Sequence, residues 1–304
     1  MSGEPSSPRI LLLGADGQLG WELRRALLPL GTVQAMNRTQ ADLSDLAALR
    51  ALLDRERPDI VVNAAAYTAV DQAESEPELA TRINAEAPAV LAQYAAAHGA
   101  WLVHYSTDYV FDGSKSAPYI ELDTPDPQSV YGRSKLAGEQ AIAQSGCRHF
   151  TLRTSWVYAA RGGNFAKTML RLAHEREQLR VVADQTGAPT SAELIADVTA
   201  LALHRMQTDA TFAAQASGLY HLTATGSTTW HGYARFVIQH ALALGVTLRC
   251  APDQVQPIAT ADYPLPAPRP ANSRLDCGKL QSVLGVHLPQ WETQVARMLA
   301  ELPR

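Results

Sequence analysis

The segment Gly14-Ala-Asp-Gly17-Gln18-Leu19-Gly20 stands between the apolar run Ile10-Leu-Leu-Leu13 and an amphipathic stretch over residues 19–28. No other feature of the chain restricts its fold as strongly. A buried strand that runs into glycines spaced three apart and then into a helix leaves the first N–H groups of that helix without partners. The first glycine permits a tight turn, the second lets backbone approach a ligand, and the third lets helix and strand pack closely. The turn therefore reads as a pyrophosphate cradle at the positive end of a helix dipole, formed around Gly14, Gly17, Gln18, Leu19 and Gly20. The alternative is an ordinary glycine-rich strand-to-helix turn.

The rest of the first half keeps the same rhythm. Strand-like segments at 32–36, 60–63, 101–106 and 150–153 alternate with helix-like segments at 46–55, 77–97 and 129–143. Such alternation gives an α/β fold, and right-handed crossovers make it a Rossmann-like doubly wound parallel sheet. We expect a dinucleotide-binding domain over 9–155, its sheet completed by parts of 180–222. A smaller C-terminal substrate-binding domain would come from 156–179 and 223–304, with no sharp boundary between the two. Helices are expected at 165–176, 192–206, 229–244 and 290–302, a strand at 218–222, and a Pro-rich loop at 252–270 that is long enough to be functional. Residues 1–8, rich in Ser and Pro, read as a disordered leader and not a signal peptide.

Composition removes several classes of function. A formal net charge of −4 gives no electrostatic case for nucleic acid or an anionic membrane, and no apolar run approaches membrane length. Cys147, Cys250 and Cys277 lack metal-ligand or Cys-x-x-Cys spacing, so they read as reduced thiols in a cytoplasmic protein.

Chemistry enters with Tyr131 and Lys135. Four residues apart, they share one helix face and together form a proton-donor arrangement, although an exposed Tyr beside a surface Lys would show the same spacing. The second strand ends in Met36-Asn37-Arg38-Thr39 without the acidic residue that usually meets a free ribose 2′-OH. Arg38 is suited to a 2′-phosphate, which favours NADPH and leaves NADH as the alternative. Asp42 and Leu43 would either touch the adenine or only cap the next helix. Ala64, Ala65 and Ala66 would let backbone approach a cofactor, as tight packing also would.

Taken in order, the glycine turn, Asn63-Ala-Ala-Ala66, His104-Tyr-Ser-Thr-Asp-Tyr-Val-Phe111 and Tyr131-Gly-Arg-Ser-Lys135 resemble an extended short-chain dehydrogenase/reductase. Six further segments narrow this: Tyr67-Thr-Ala-Val-Asp-Gln-Ala-Glu-Ser-Glu-Pro77, Ser106-Thr-Asp-Tyr-Val-Phe-Asp112, Arg153-Thr-Ser-Trp-Val-Tyr158, Asn164-Phe-Ala-Lys-Thr-Met169, Asp184-Gln-Thr-Gly-Ala-Pro-Thr190 and Arg269-Pro-Ala-Asn-Ser-Arg-Leu275. They are similar to the dTDP-4-dehydrorhamnose reductases, and the likeness runs from about residue 10 to 302. The resemblance implies reduction of the 4-keto group of dTDP-4-dehydro-6-deoxy-L-mannose to give dTDP-L-rhamnose.

In that reading Tyr131 is the general acid, Lys135 lowers its pKa and holds the nicotinamide ribose, and Thr107 donates a hydrogen bond to the substrate oxygen. Asp108, Trp156 and Arg269 would contact the nucleotide sugar, while Ala66, Tyr67, Thr68 and Tyr105 would line the cofactor. For Asn84 the structural role is favoured. Some relatives form a homodimer with magnesium held by glutamates, and Glu22, Glu193 and Glu301 stand at the corresponding places. Competing readings are an epimerase or dehydratase acting on another nucleotide sugar, and a regulatory subunit that binds dinucleotide without catalysis. Dehydratases need a second acid beside the catalytic Thr, which Thr107-Asp108-Tyr109 lacks.

Overall fold

Leu11, Leu12 and Leu13 are buried although they point alternately to opposite faces, as a central strand of a parallel sheet requires. The computed structural model describes residues 7–302. Strand β1 (Arg9–Leu13) pairs in parallel with β2 (Thr32–Met36) on one side and β3 (Ile60–Asn63) on the other. Beyond β3 come β4 (Trp101–Thr107), β5 (Arg148–Thr154) and β6 (Gly218–His221), giving the order β6-β5-β4-β3-β1-β2. Every neighbouring pair is parallel, so the sheet is doubly wound. The chain leaves β1 in opposite directions for β2 and β3, and that reversal opens a crevice at the carboxyl ends of the strands.

Helices cover both faces. Ile10 and Leu12 join Leu23 of α1 (Gln18–Ala26) and Ile195 and Leu203 of α6 (Ala192–Thr208) in one core. Leu11 and Leu13 join Leu49 and Leu53 of α2 (Leu46–Glu56) and Leu91 of α3 (Ala87–His98) in the other. The remaining helices used below are α4 (Val130–Gln144), α5 (Phe165–Glu175), α7 (Trp230–Ala243), α8 (Gly278–Leu284) and α9 (Trp291–Glu301). No helix among the described residues is long and apolar enough to cross a membrane. The three cysteines are free and buried.

Two expectations change, one helix was not expected, and the leader lies mostly outside the described residues. The helix expected at 77–97 is Pro77–Thr81, then a π-helical turn at Arg82–Glu86, then α3. In that turn the Asn84 amide accepts the Tyr67 N–H at 2.9 Å and donates to the Tyr67 carbonyl and the Ser134 hydroxyl, both at 3.0 Å. A fully bonded buried amide fits a structural role, and it sits within the widened turn. The Pro-rich stretch at 252–270 is not all loop: Val255–Ile258 forms a parallel pair with Leu179–Val182, while from 180–222 only β6 joins the large sheet. Helix α8 had no sequence expectation. Of the leader at 1–8, residues 1–6 lie outside the described residues, and the Pro8 carbonyl already accepts the Thr32 N–H at 2.9 Å.

Candidate active site

The glycine turn is fixed by close approach as well as by any ligand. Gly14 has φ 79°, and a β-carbon there would lie 2.7 Å from the Ala65 nitrogen. A β-carbon on Gly20 would collide with the Gly14 carbonyl, and the Gly17 N–H donates to that same oxygen at 3.0 Å. Gly17 caps α1 without a side-chain acceptor, which leaves the first-turn N–H groups free for an anionic group. These donors and the missing β-carbons fit a dinucleotide pyrophosphate. Gln18 lies beneath the following lobe, where its amide oxygen accepts from Asn164 at 3.2 Å.

At the end of β2, the amides of Asn37 and Gln40 each accept the other's backbone N–H at 3.1–3.2 Å. Arg38 is largely exposed, its Nε 3.6 Å from Asp42. Asp42 does not cap α2: it accepts the Ser44 amide and hydroxyl at 2.9 and 2.8 Å, bonds that hold its carboxyl below the ordinary range. Asp45 is the cap, accepting from Ala47 and Ala48. The Leu43 side chain packs in the core with Leu49 and Leu53. Ala66 and Thr68 are exposed after β3, while the Tyr67 hydroxyl donates to Glu76 at 2.7 Å.

Thr107 ends β4 at the same crevice. Its hydroxyl donates to Asp108 Oδ1 at 3.0 Å and accepts the Tyr109 N–H at 3.2 Å. Ser129 caps α4 by accepting the Gly132 N–H at 3.1 Å, and Gly132 is pressed so close to the Tyr109 carbonyl that no β-carbon fits. This seats Tyr131 against Thr107. Desolvation pushes the Tyr131 phenol up to about 12, the neighbouring Thr107 hydroxyl opposes this, and the Asp108 charge adds to it.

One turn further, Lys135 is buried. Its Nζ donates to the Tyr105 carbonyl at 2.6 Å and lies 3.3 Å from His104 Nε2. Desolvation lowers it to about 8, partly offset by Glu139, whose carboxylate is itself held by Arg153 through two bonds of 2.9 and 2.6 Å. In the protein without ligand, burial of the phenol is the dominant influence on it, and the lysine is tied to β4 behind it.

The Tyr105 phenol packs in the core and meets the Thr199 hydroxyl at 2.9 Å, and its carbonyl is the one that accepts from Lys135. Asp108 is buried, with Oδ2 unpartnered and its carboxyl raised by desolvation to about 6. Trp156 is half-buried at a left-handed φ of 48° and stacks on Trp230 with centroids 3.6 Å apart. Gly187 lies under the indole, where a β-carbon would come within 2.5 Å. Arg269 donates to Asp71 at 2.8 Å and stands 5.9 Å from the Tyr109 ring. Sequence reasoning assigned no role to His104 or Trp230. For His104 a signal existed: a titratable side chain in the middle of a strand buried along its whole length.

Glu22 of α1, Glu193 of α6 and Glu301 of α9 do share one region, since the charges of the latter two raise the Glu22 carboxyl after burial does. Arginines occupy that region too. Arg297 pairs with Glu193 at 2.7 Å and Glu301 at 3.3 Å, and Arg25 pairs with Asp197 at 2.8 Å and Glu22 at 3.8 Å. Among the described residues no cluster of three acidic, His or Cys side chains is arranged to hold a metal ion. The three glutamates thus form an ion-pair network that does not fit the magnesium reading.

Comparison with known proteins agrees with this geometry. The family model for the RmlD substrate binding domain matches residues 8–304. The dTDP-4-dehydrorhamnose reductase of Salmonella typhimurium is 50% identical over 297 residues, covering 96% of this chain and 97% of its own. That of Escherichia coli K12 is also 50% identical, with the same coverage. The crystal structure of the Bacillus anthracis dTDP-4-dehydrorhamnose reductase in complex with NADP superposes with a TM-score of 0.87 at 34% identity, covering 97% of this chain and 99% of that one. The Thermus thermophilus UDP-glucose 4-epimerase, at 19% identity and a TM-score of 0.73, shares the fold alone. With a glycine cradle, a Thr107–Tyr131–Lys135 site and relatives half identical along nearly its whole length, this chain belongs to the dTDP-4-dehydrorhamnose reductase family.

Proposed function

We propose that this protein is a cytoplasmic reductase that converts the 4-keto group of dTDP-4-dehydro-6-deoxy-L-mannose to the hydroxyl of dTDP-L-rhamnose, with NADPH preferred over NADH. The observation that carries the reading is that Tyr131 is placed beside Thr107, with buried Lys135 one helical turn behind, at the carboxyl ends of the strands. When bound, the reduced nicotinamide supplies the hydride. The protein supplies the rest. Residues 9–155 hold the dinucleotide on the α1 cradle, and 156–179 with 223–304 hold the sugar nucleotide.

Tyr131 gives its hydroxyl proton to the alkoxide that develops on the sugar oxygen, general acid catalysis worth on the order of 10²–10⁴ in rate. Thr107 donates a hydrogen bond to that oxygen, which strengthens as charge builds. A phenol held near 12 is a weak acid toward water but a strong one toward an alkoxide, so the proton stays on Tyr131 until charge appears. Lys135 stabilises the resulting phenolate and holds the nicotinamide ribose. Asp108, Trp156 and Arg269 face the sugar nucleotide. To meet its diphosphate, the Arg269 guanidinium has to exchange Asp71 for the phosphates, a charge-assisted swap. Arg38, exposed beside the end of β2, supports the preference for a 2′-phosphate. No step is assigned to magnesium.

Purified protein should oxidise NADPH when given the 4-keto-6-deoxy sugar nucleotide and leave it untouched without that substrate. Absence of turnover in this assay refutes the reading.

A further inference from the structure

His104 lies behind Lys135, and its hydrogen bonds fix where its own proton sits. Asn63 and His104 are register partners across β3 and β4. The Asn63 carbonyl oxygen accepts the Ala65 N–H at 3.2 Å, so its NH₂ group turns to His104 Nδ1 at 3.1 Å. An amide NH₂ only donates, so Nδ1 has to offer a lone pair, and the neutral ring then carries its hydrogen on Nε2. The imidazolium is disfavoured by burial and by the nearby charges of Lys135 and His149. Nε2 points at Lys135 Nζ, 3.3 Å away, while Nζ donates to the Tyr105 carbonyl at 2.6 Å.

The consequence is a donor facing a donor whenever Lys135 is an ammonium. An ammonium has three donors and no acceptor, whereas a neutral amine has one lone pair that Nε2–H can use. The other groups around Lys135 are Tyr131 and Glu139 on its own helix, and Glu139 is committed to Arg153 of β5. With a neutral phenol at Tyr131, the His104 contact favours the amine. A phenolate at Tyr131 favours the ammonium instead.

We propose that His104, locked by Asn63 as its Nε2–H tautomer, is a positioning residue that makes protonation of Lys135 depend on the charge state of Tyr131. This rests on the roles given above to Tyr131 and Lys135, and it adds a residue pair that senses them from inside the sheet.

Two measurements test it. Nitrogen-15 NMR of the histidines in the full chain without ligand should show His104 neutral, with its proton on Nε2, between about pH 6 and 8. A proton on Nδ1, or an imidazolium, overturns the proposal whatever the activity. In the pH profile of kcat/KM, His104→Leu should move the alkaline limb upward by roughly one pH unit, because Lys135 loses an opposing donor. His104→Gln, whose amide can accept from Asn63 and donate to Lys135, should return the limb toward the wild-type position. Limbs that coincide in His104→Leu and wild type overturn it. Should the leucine variant not fold, Asn63→Asp makes the same test: a carboxylate draws the ring proton to Nδ1, leaves Nε2 as an acceptor for the ammonium, and moves the limb upward. Normal sugar reduction with unmoved limbs defeats this inference alone, whereas no reduction by the wild type defeats the proposed function itself.

Discussion

The cofactor cradle and the Tyr131 cluster lie at the carboxyl ends of the same sheet and are built in opposite ways. The cradle comes from one short run of sequence, and its working parts are backbone: a positive-φ glycine, a tight turn and an uncapped helix start. The Tyr131 cluster draws on β3, β4 and α4, and its working parts are buried polar side chains that constrain one another. A site made of backbone needs side chains to be missing, so it is broken by adding atoms. A site made of side chains needs each partner satisfied, so it is broken by removing them.

The sharpest way to break the second kind is Tyr131→Phe, which removes one oxygen. We expect turnover to fall by about 10²–10⁴, the usual worth of a general acid, with NADPH binding measured by fluorescence titration nearly unchanged. If most activity survives, Tyr131 is not the acid. The first kind should break with Gly14→Ala. A left-handed backbone costs an L-residue about 1–2 kcal/mol, and a turn that relaxes to escape this and the clash with Ala65 gives up the cradle geometry. NADPH should therefore bind at least about tenfold more weakly, and equal affinity would show that the turn tolerates a β-carbon.

A smaller effect is expected where the two regions meet solvent. Arg38→Ala should reduce the NADPH-to-NADH preference by about three- to tenfold, the range expected for an exposed charge meeting a phosphate. A ratio that does not move would show that Arg38 only pairs with Asp42. A further effect concerns stability. Burial raises the Asp108 carboxyl from 3.8 to about 6 in the folded protein. Between those values the folded state binds more protons than the unfolded one, so stability falls as pH rises. The contribution is fully present below the unfolded value and is lost as pH passes through about 6. Asp108→Asn removes this titration, so its melting temperature relative to wild type should rise between about pH 4 and 6. Parallel curves would mean that the unpartnered Oδ2 is solvated.

Much of the cradle was legible because its signals are local. Strand, glycine spacing and helix start lie side by side in the chain, and each has its own physical signature. The spacing of Tyr131 and Lys135 was equally local and equally visible. Less visible was what the two residues would do to each other. The sequence suggested a lysine lowering its neighbour's pKa, and only depth in the sheet showed the larger opposing effect, desolvation of the phenol. Tyr105 was equally hard to place. Alternation along β4 sends its phenol to Thr199 on α6, on the face opposite His104, and its carbonyl accepts from Lys135. Asp42 and Asp45 both suit a helix cap by residue type, and only the direction of the chain entering α2 selected the second.

By itself the sequence determined the doubly wound sheet, the glycine turn and the shared helix face of Tyr131 and Lys135, because period, glycine placement and four-residue spacing act over a few residues at a time. The tertiary structure decided which polar groups are paired and which protons they hold: Asn63 against His104, His104 against Lys135, Arg297 between two glutamates. Those outcomes depend on distances between segments far apart in the chain and on how much water is excluded around them, and neither quantity is written in any local run of residues.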